Sequence, residues 1–169
     1  LRFGTFKIAH KSELNKKLKT LGIDPLNDPM ATSIDMIEQL KKSVFYINYY
    51  FQGEPFLHPK FLDLIVEAKR NKIYTATSTN AHFIDEKKAE EIVESGLDRL
   101  IISIDGLTQA TYENYRVHGK LSKVIEGTKH LLAAKKKLNS STPHLIFQFL
   151  AVKPNEHEIP EVFKLGKEM

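Results

Sequence analysis

Hydrophobic and polar positions along this chain follow two alternating periods. Stretches rich in aromatic and β-branched residues read as strands: "FGTFKIAH" (3–10), "SVFYINYYF" (43–51), "KIYTATST" (72–79), "LDRLIISID" (97–105) and "PHLIFQFLAV" (143–152). Stretches with apolar residues at helical spacing lie between and after them. These are 12–21, the segment "NDPMATSIDMIEQLKKS", and 59–71, 85–96, 108–115, 120–138 and 159–168. Their ends carry signals of their own. Thr32 or Ser33 is an N-cap before Ile34, Ile37 and Leu40. Acidic residues open the helix at 85 and Gly96 stops it, while Pro160 stands in the first turn of the last helix. The run at 97–105 is almost continuously apolar, which predicts a strand buried on both faces.

About five β/α units in succession predict an α/β fold with a parallel sheet, because parallel strands need crossover connections. The sheet is either open and doubly wound or an arc of a (β/α) barrel. Both place ligands at the carboxyl ends of the strands. Those ends are polar. They read Ser12-Glu13, then Gln52-Gly53-Glu54-Pro55, Ser78-Thr79-Asn80, Ser103-Ile104-Asp105-Gly106, and Lys153-Pro154-Asn155. Turn chemistry explains part of this pattern, since Gly, Pro, Asn, Asp and Ser favour turns. The joint pattern points to a polar small-molecule site.

The residue types suit a ligand with an amine, a carboxylate and a ribose. Glu54 can pair with an ammonium group, and Gly53 allows close approach to the backbone. Ser78, Asn80 and Ser103 can bond hydroxyls or a carboxylate, and Asp105 can bond hydroxyls. Arg116, in "YENYRVHG", offers a fork for a carboxylate; its structural alternative is a surface salt bridge.

Composition narrows the chemistry. The 169 residues fit one domain. The net charge of +4 arises from 25 Lys and Arg against 21 Asp and Glu. The lysine runs fall in helical context and read as solvated faces, so no nucleic-acid partner is expected. No apolar run approaches the roughly 20 residues of a membrane span, and the amino end has no secretory signal, so a cytoplasmic setting without a membrane partner is expected. A start without Met and an end inside a helix suggest a fragment, and with it an apolar edge at 145–152. There is no cysteine. Disulfides, thiolate metal sites and cysteine nucleophiles are therefore excluded within this sequence. The seven histidines show no metal-ligand spacing, and no glycine-rich phosphate loop follows a strand.

The series "GEP" with "LHP", then "STNA", "SGLDRLIISIDG", "TYENYR" and "VKPNEHEI" resembles the radical S-adenosylmethionine (SAM) superfamily, in the branch that carries a SPASM extension. The resemblance runs from about residue 5 to the end. It implies a partial (β/α) barrel spanning 1–169 and truncated at its carboxyl end. It implies SAM and a [4Fe-4S] cluster as cofactors, reductive cleavage of SAM to a 5′-deoxyadenosyl radical, and a peptide or protein as a possible substrate. Gly53, Glu54 and Pro55 then form the turn that holds the SAM amine. Asn80 and Ser78 match the ribose side, Ser103 and Arg116 the carboxylate side, and Asp105 shares the turn of Ser103.

The family's three cluster cysteines follow the first strand. In "SELNKKLKTLG" the corresponding places hold Leu14, Leu18 and Leu21. Leucines at this spacing also make an ordinary apolar helix face. Leucine offers iron no lone pair, whereas iron–sulfur clusters are held by thiolates. The sequence as written is therefore expected to form no cluster and to be inactive in radical cleavage. The alternative is a non-catalytic β/α scaffold that binds a partner or peptide.

Overall fold

The computed structural model describes residues 37–38, 41–50 and 53–169. The expected strand at 3–10, the helix at 12–21 and the cap at Thr32 or Ser33 lie outside these residues, as do Leu14, Leu18 and Leu21. Four strands, β1 (Tyr46–Asn48), β2 (Tyr74–Thr79), β3 (Arg99–Ser103) and β4 (His144–Gln148), form one sheet in the order β1-β2-β3-β4. Every pairing is parallel. Between β1 and β2 lie a single 3-10 turn (Pro55–Leu57) and helix α1 (Phe61–Arg70). Helix α2 (Glu86–Glu94) joins β2 to β3. Helices α3 (Gln109–Tyr115) and α4 (Leu121–Lys137) join β3 to β4, and α5 (Ile159–Glu168) follows β4. No helix among the described residues is long and apolar enough to cross a membrane.

The strand order decides between the two architectures left open by the sequence. A doubly wound sheet reverses direction at a switch point. Here each strand is added beside the last in one direction, and right-handed crossovers then keep the helices on one face. The described sheet is thus an arc of a β/α barrel.

The side chains divide accordingly. On β3, Leu100 and Ile102 are fully buried and, with Ile104, pack among Ile65, Ile92, Leu97, Val124 and Leu131. Arg99, Ile101 and Ser103 point to the other face and are only half-buried. The expected burial on both faces is corrected here: β3 alternates. Its apolar run is continuous because the inner position 101 is isoleucine, which the half-open inner face accepts as readily as the helix side does. The strand also ends sooner than the 143–152 run suggested. β4 stops at Gln148, and the residues beyond it form a loop pinned by Asn155.

Local chemistry explains the helix ends. The Asp85 carboxylate caps α2 by accepting from the Lys88 amide (2.7 Å). Thr108 caps α3, and Thr111 answers it in a reciprocal capping box.

Candidate functional site

The carboxyl ends of the strands are tied to one another by buried polar side chains. Gly53, in the left-handed region at φ +85°, turns the chain out of β1. The next residue, Glu54, caps the 3-10 turn and reaches across to β2. Its Oε1 accepts from the Thr79 hydroxyl (2.8 Å) and its Oε2 from the Asn80 amide (2.7 Å). Pro55 begins the turn and fixes its φ. Glu54 thus locks the first two loops together, and its carboxylate still has acceptor positions to spare.

Asn80 continues the chain of bonds. Its Oδ1 accepts from the His82 amide (3.0 Å), which leaves the two amide hydrogens of its side chain for another acceptor. Ser78 and Ser103 both lie on the inner face, half-buried. The β2–β3 register pairs Ser78 with Ile101 and Thr79 with Ile102, so continuing it by one residue sets Asn80 beside Ser103. Neither serine hydroxyl bonds another described side chain.

Asp105 and Arg116 form the other half of the rim. Asp105 is 2% exposed. Its Oδ2 accepts from Arg116 Nε (2.6 Å) and its Oδ1 from the Leu150 amide (3.0 Å). Both oxygens therefore hold the scaffold: Asp105 binds the loop after β4 and orients Arg116. The guanidinium lies over the Tyr115 ring at 5.4 Å, with its terminal nitrogens uncommitted among the described residues. The structure therefore joins Glu54 to Asn80 and Asp105 to Arg116, and it sets Ser103 between the two pairs.

Several participants stand in the polar strand ends or motifs of the sequence without a role assigned to them. Thr79 carries Glu54. Asn155, fully buried, donates to the Asp105 and Leu150 carbonyls (2.9 Å each) and accepts from the Val152 amide (2.7 Å). Glu158 accepts from the Leu107 amide (2.8 Å) and the Thr111 hydroxyl (2.7 Å). Both belong to "VKPNEHEI", so the motif was visible but its task of pinning loops was not. Gly106 lets α3 press against this turn: a Cβ there would come within 2.3 Å of the Tyr112 backbone nitrogen. Arg99 lies at the opposite end of the inner face, where it donates to the Tyr46 hydroxyl and stacks over that ring. Burial raises the Tyr112 hydroxyl above the usual tyrosine range, with Arg116 opposing and Asp105 adding. That phenol stays neutral.

The donor set separates the two implied cofactors. One carboxylate, one free amide, two hydroxyls and one guanidinium suit the amine, ribose and carboxylate of SAM. The cluster is another matter. The chain has no thiolate, and among the described residues no three His, Cys, Asp or Glu side chains converge as metal ligands. The residues present do not fit an iron–sulfur cluster.

Comparison with known proteins identifies the family and the fold. The PqqA peptide cyclase of Gluconobacter oxydans is 27% identical over 140 residues, which cover 82% of this chain and 37% of that protein. The mycofactocin maturase MftC of Mycobacterium ulcerans is 30% identical over 101 residues, covering 59% of this chain and 27% of that protein. The chain thus spans about a third of the length of these curated relatives. The crystal structure of archaeal TYW1 superposes on 98% of this chain and 55% of its own, with a TM-score of 0.51 at 15% identity, a likeness of fold. The radical SAM superfamily model matches residues 15–165. On that match, which takes in every described strand, the chain belongs to the radical SAM superfamily.

Proposed function

We propose that this chain is the SAM-binding core of a radical SAM enzyme whose substrate is a peptide or protein. The joint of Glu54, Thr79 and Asn80 beside Ser103, with Arg116 held by Asp105 two residues beyond Ser103, carries the reading. Glu54 takes the SAM amine, Asn80 and Ser78 bond the ribose hydroxyls, and Ser103 and Arg116 receive the carboxylate. Gly53 and Pro55 shape the turn that presents Glu54. Asp105 keeps Arg116 aimed and does not itself meet the ligand. Bound SAM supplies the sulfonium nucleoside that this family cleaves by reduction. The thiolates that would hold the cluster for that reduction are not in this chain, so it binds SAM without cleaving it. The peptide substrate is supported by relatives that are a peptide cyclase and a maturase. The missing thiolates are also the observation that favours a second reading, a non-catalytic scaffold that binds a partner or peptide.

Calorimetry with SAM at pH 7.5 decides between them. Saturable heat is expected, with affinity lowered about 3- to 10-fold in Ser103→Ala, the loss of one hydrogen bond. Ser103→Ala is the informative variant because it removes no bond that holds the loops. Arg116→Lys keeps a partner for Asp105 and should weaken binding by losing the bidentate fork. No heat at millimolar SAM, from a chain that still melts cooperatively, leaves only the scaffold.

A further inference from the structure

His82 has a more specific arrangement than its place in a loop requires. Its Nε2 accepts from the backbone amide of Lys120 at 2.9 Å, so that nitrogen carries no proton. The remaining ring nitrogen, Nδ1, is 2.8 Å from the Asn80 carbonyl and must donate to it. The geometry therefore fixes a neutral ring in one tautomer. Lys120 is the N-cap residue of α4, and its own side chain makes no capping bond. His82 supplies an acceptor at that helix entrance. The ring also stacks on Tyr112 of α3, with centroids 6.3 Å apart and planes at 22°. One side chain thus joins the Asn80 turn after β2 to the amino end of α4, against α3.

We propose that His82 is a positioning residue that holds Asn80 and the segment 116–120 together only while its ring is neutral, so that acid weakens ligand binding at the strand ends. The ligand part rests on the SAM reading above. A protonated ring has two donors and no acceptor. Its new N–H would face the Lys120 N–H, and the amide would lose its partner. The partial positive charge at the start of α4 opposes the imidazolium further. Other charged and titratable groups border the joint. Glu54 bonds the Asn80 amide, Tyr112 is a buried neutral phenol, and Arg116 and Asp105 neutralise each other beside it. None of these supplies an acceptor for the Lys120 amide. The ring is half-buried, so solvent protons can reach it. The sign follows from the bonds: the neutral ring keeps the joint, and the protonated ring loses it.

The test has two arms. Nitrogen–proton correlation spectra of the whole chain should show the His82 ring as the Nδ1–H tautomer at pH 7.5. The Lys120 amide resonance should shift together with the ring as pH falls to 5.5. In the second arm, SAM affinity should fall at least 5-fold between pH 7.5 and 5.5. His82→Phe keeps the stack on Tyr112 and removes both bonds; it should bind more weakly at pH 7.5 and lose the pH dependence. His118→Gln, two residues before Lys120, should leave the profile unchanged. An Nε2–H tautomer, a Lys120 amide that ignores the ring's titration, or a His82→Phe variant with the unaltered pH profile would each overturn the proposal. Absence of SAM binding at pH 7.5 would remove the SAM reading instead, and the spectra would still decide the role of His82.

Discussion

Asn155 shows how much of this site depends on groups that never touch a ligand. Its amide is completely enclosed and satisfies two carbonyls and one N–H that have no secondary structure to serve them. One of those carbonyls belongs to Asp105, whose side chain holds Arg116. Asn155→Ala would strand the buried Asp105 carbonyl and take this partner from the part-buried Leu150 carbonyl and Val152 amide, and a buried group left unpaired costs about 1–3 kcal/mol. Allowing for relaxation, a loss of about 2–4 kcal/mol is expected in urea unfolding at neutral pH. A loss below half a kilocalorie would show that water replaces the amide without penalty. Asn155→Asp keeps the acceptor for Val152 but not the donors, so it should recover only part of the stability.

At the scale of elements, the two faces of the helical layer behave differently. Helix α4 buries Val124, Leu131 and Ala134 against β3 and α2. Helix α5 has no fully buried residue, and its Phe163 is 69% exposed. Leu131 is 0% exposed. Leu131→Ala should therefore cost about 2–5 kcal/mol, as large-to-small changes in a packed core do. Phe163→Ser should stay within about 0.5 kcal/mol, as surface changes do. Thermal melts of the two variants, side by side, check the contrast. Comparable losses would mean that α5 is as deeply packed as α4. The difference also bears on the site, because the N-cap residue of α4 carries the amide that His82 holds, whereas α5 meets the rim through its N-cap residue Glu158.

At the scale of the whole molecule, the fold and the missing thiolates pull in different directions. A parallel arc ending in a polar rim suits SAM, yet the sequence has no cysteine to hold iron and sulfide. Leu14→Cys, Leu18→Cys and Leu21→Cys combined place thiolates where the family resemblance sets the cluster ligands. Anaerobic reconstitution with iron and sulfide should then give a brown protein with absorption near the thiolate-to-iron charge-transfer region, while the unaltered chain stays colourless. A colourless triple variant that still binds SAM would show that those leucines do not mark the cluster positions.

Sequence alone determined the alternation of strands and helices and the polar character of the strand ends. Helix periodicity, β-branched runs and capping residues are local, so they survive without a third dimension. The pairs Glu54 with Asn80 and Asp105 with Arg116 were legible as chemistry but not as contacts. Their partners lie 26 and 11 residues apart along the chain and meet only once the strands are in register. Tertiary structure alone decided three things. The order of the strands made the sheet an arc. The inner face of β3 is half-open, which a continuous apolar run concealed. And His82, Asn155 and Glu158 are joints, because each bonds segments that folding, not sequence spacing, brings within 3 Å.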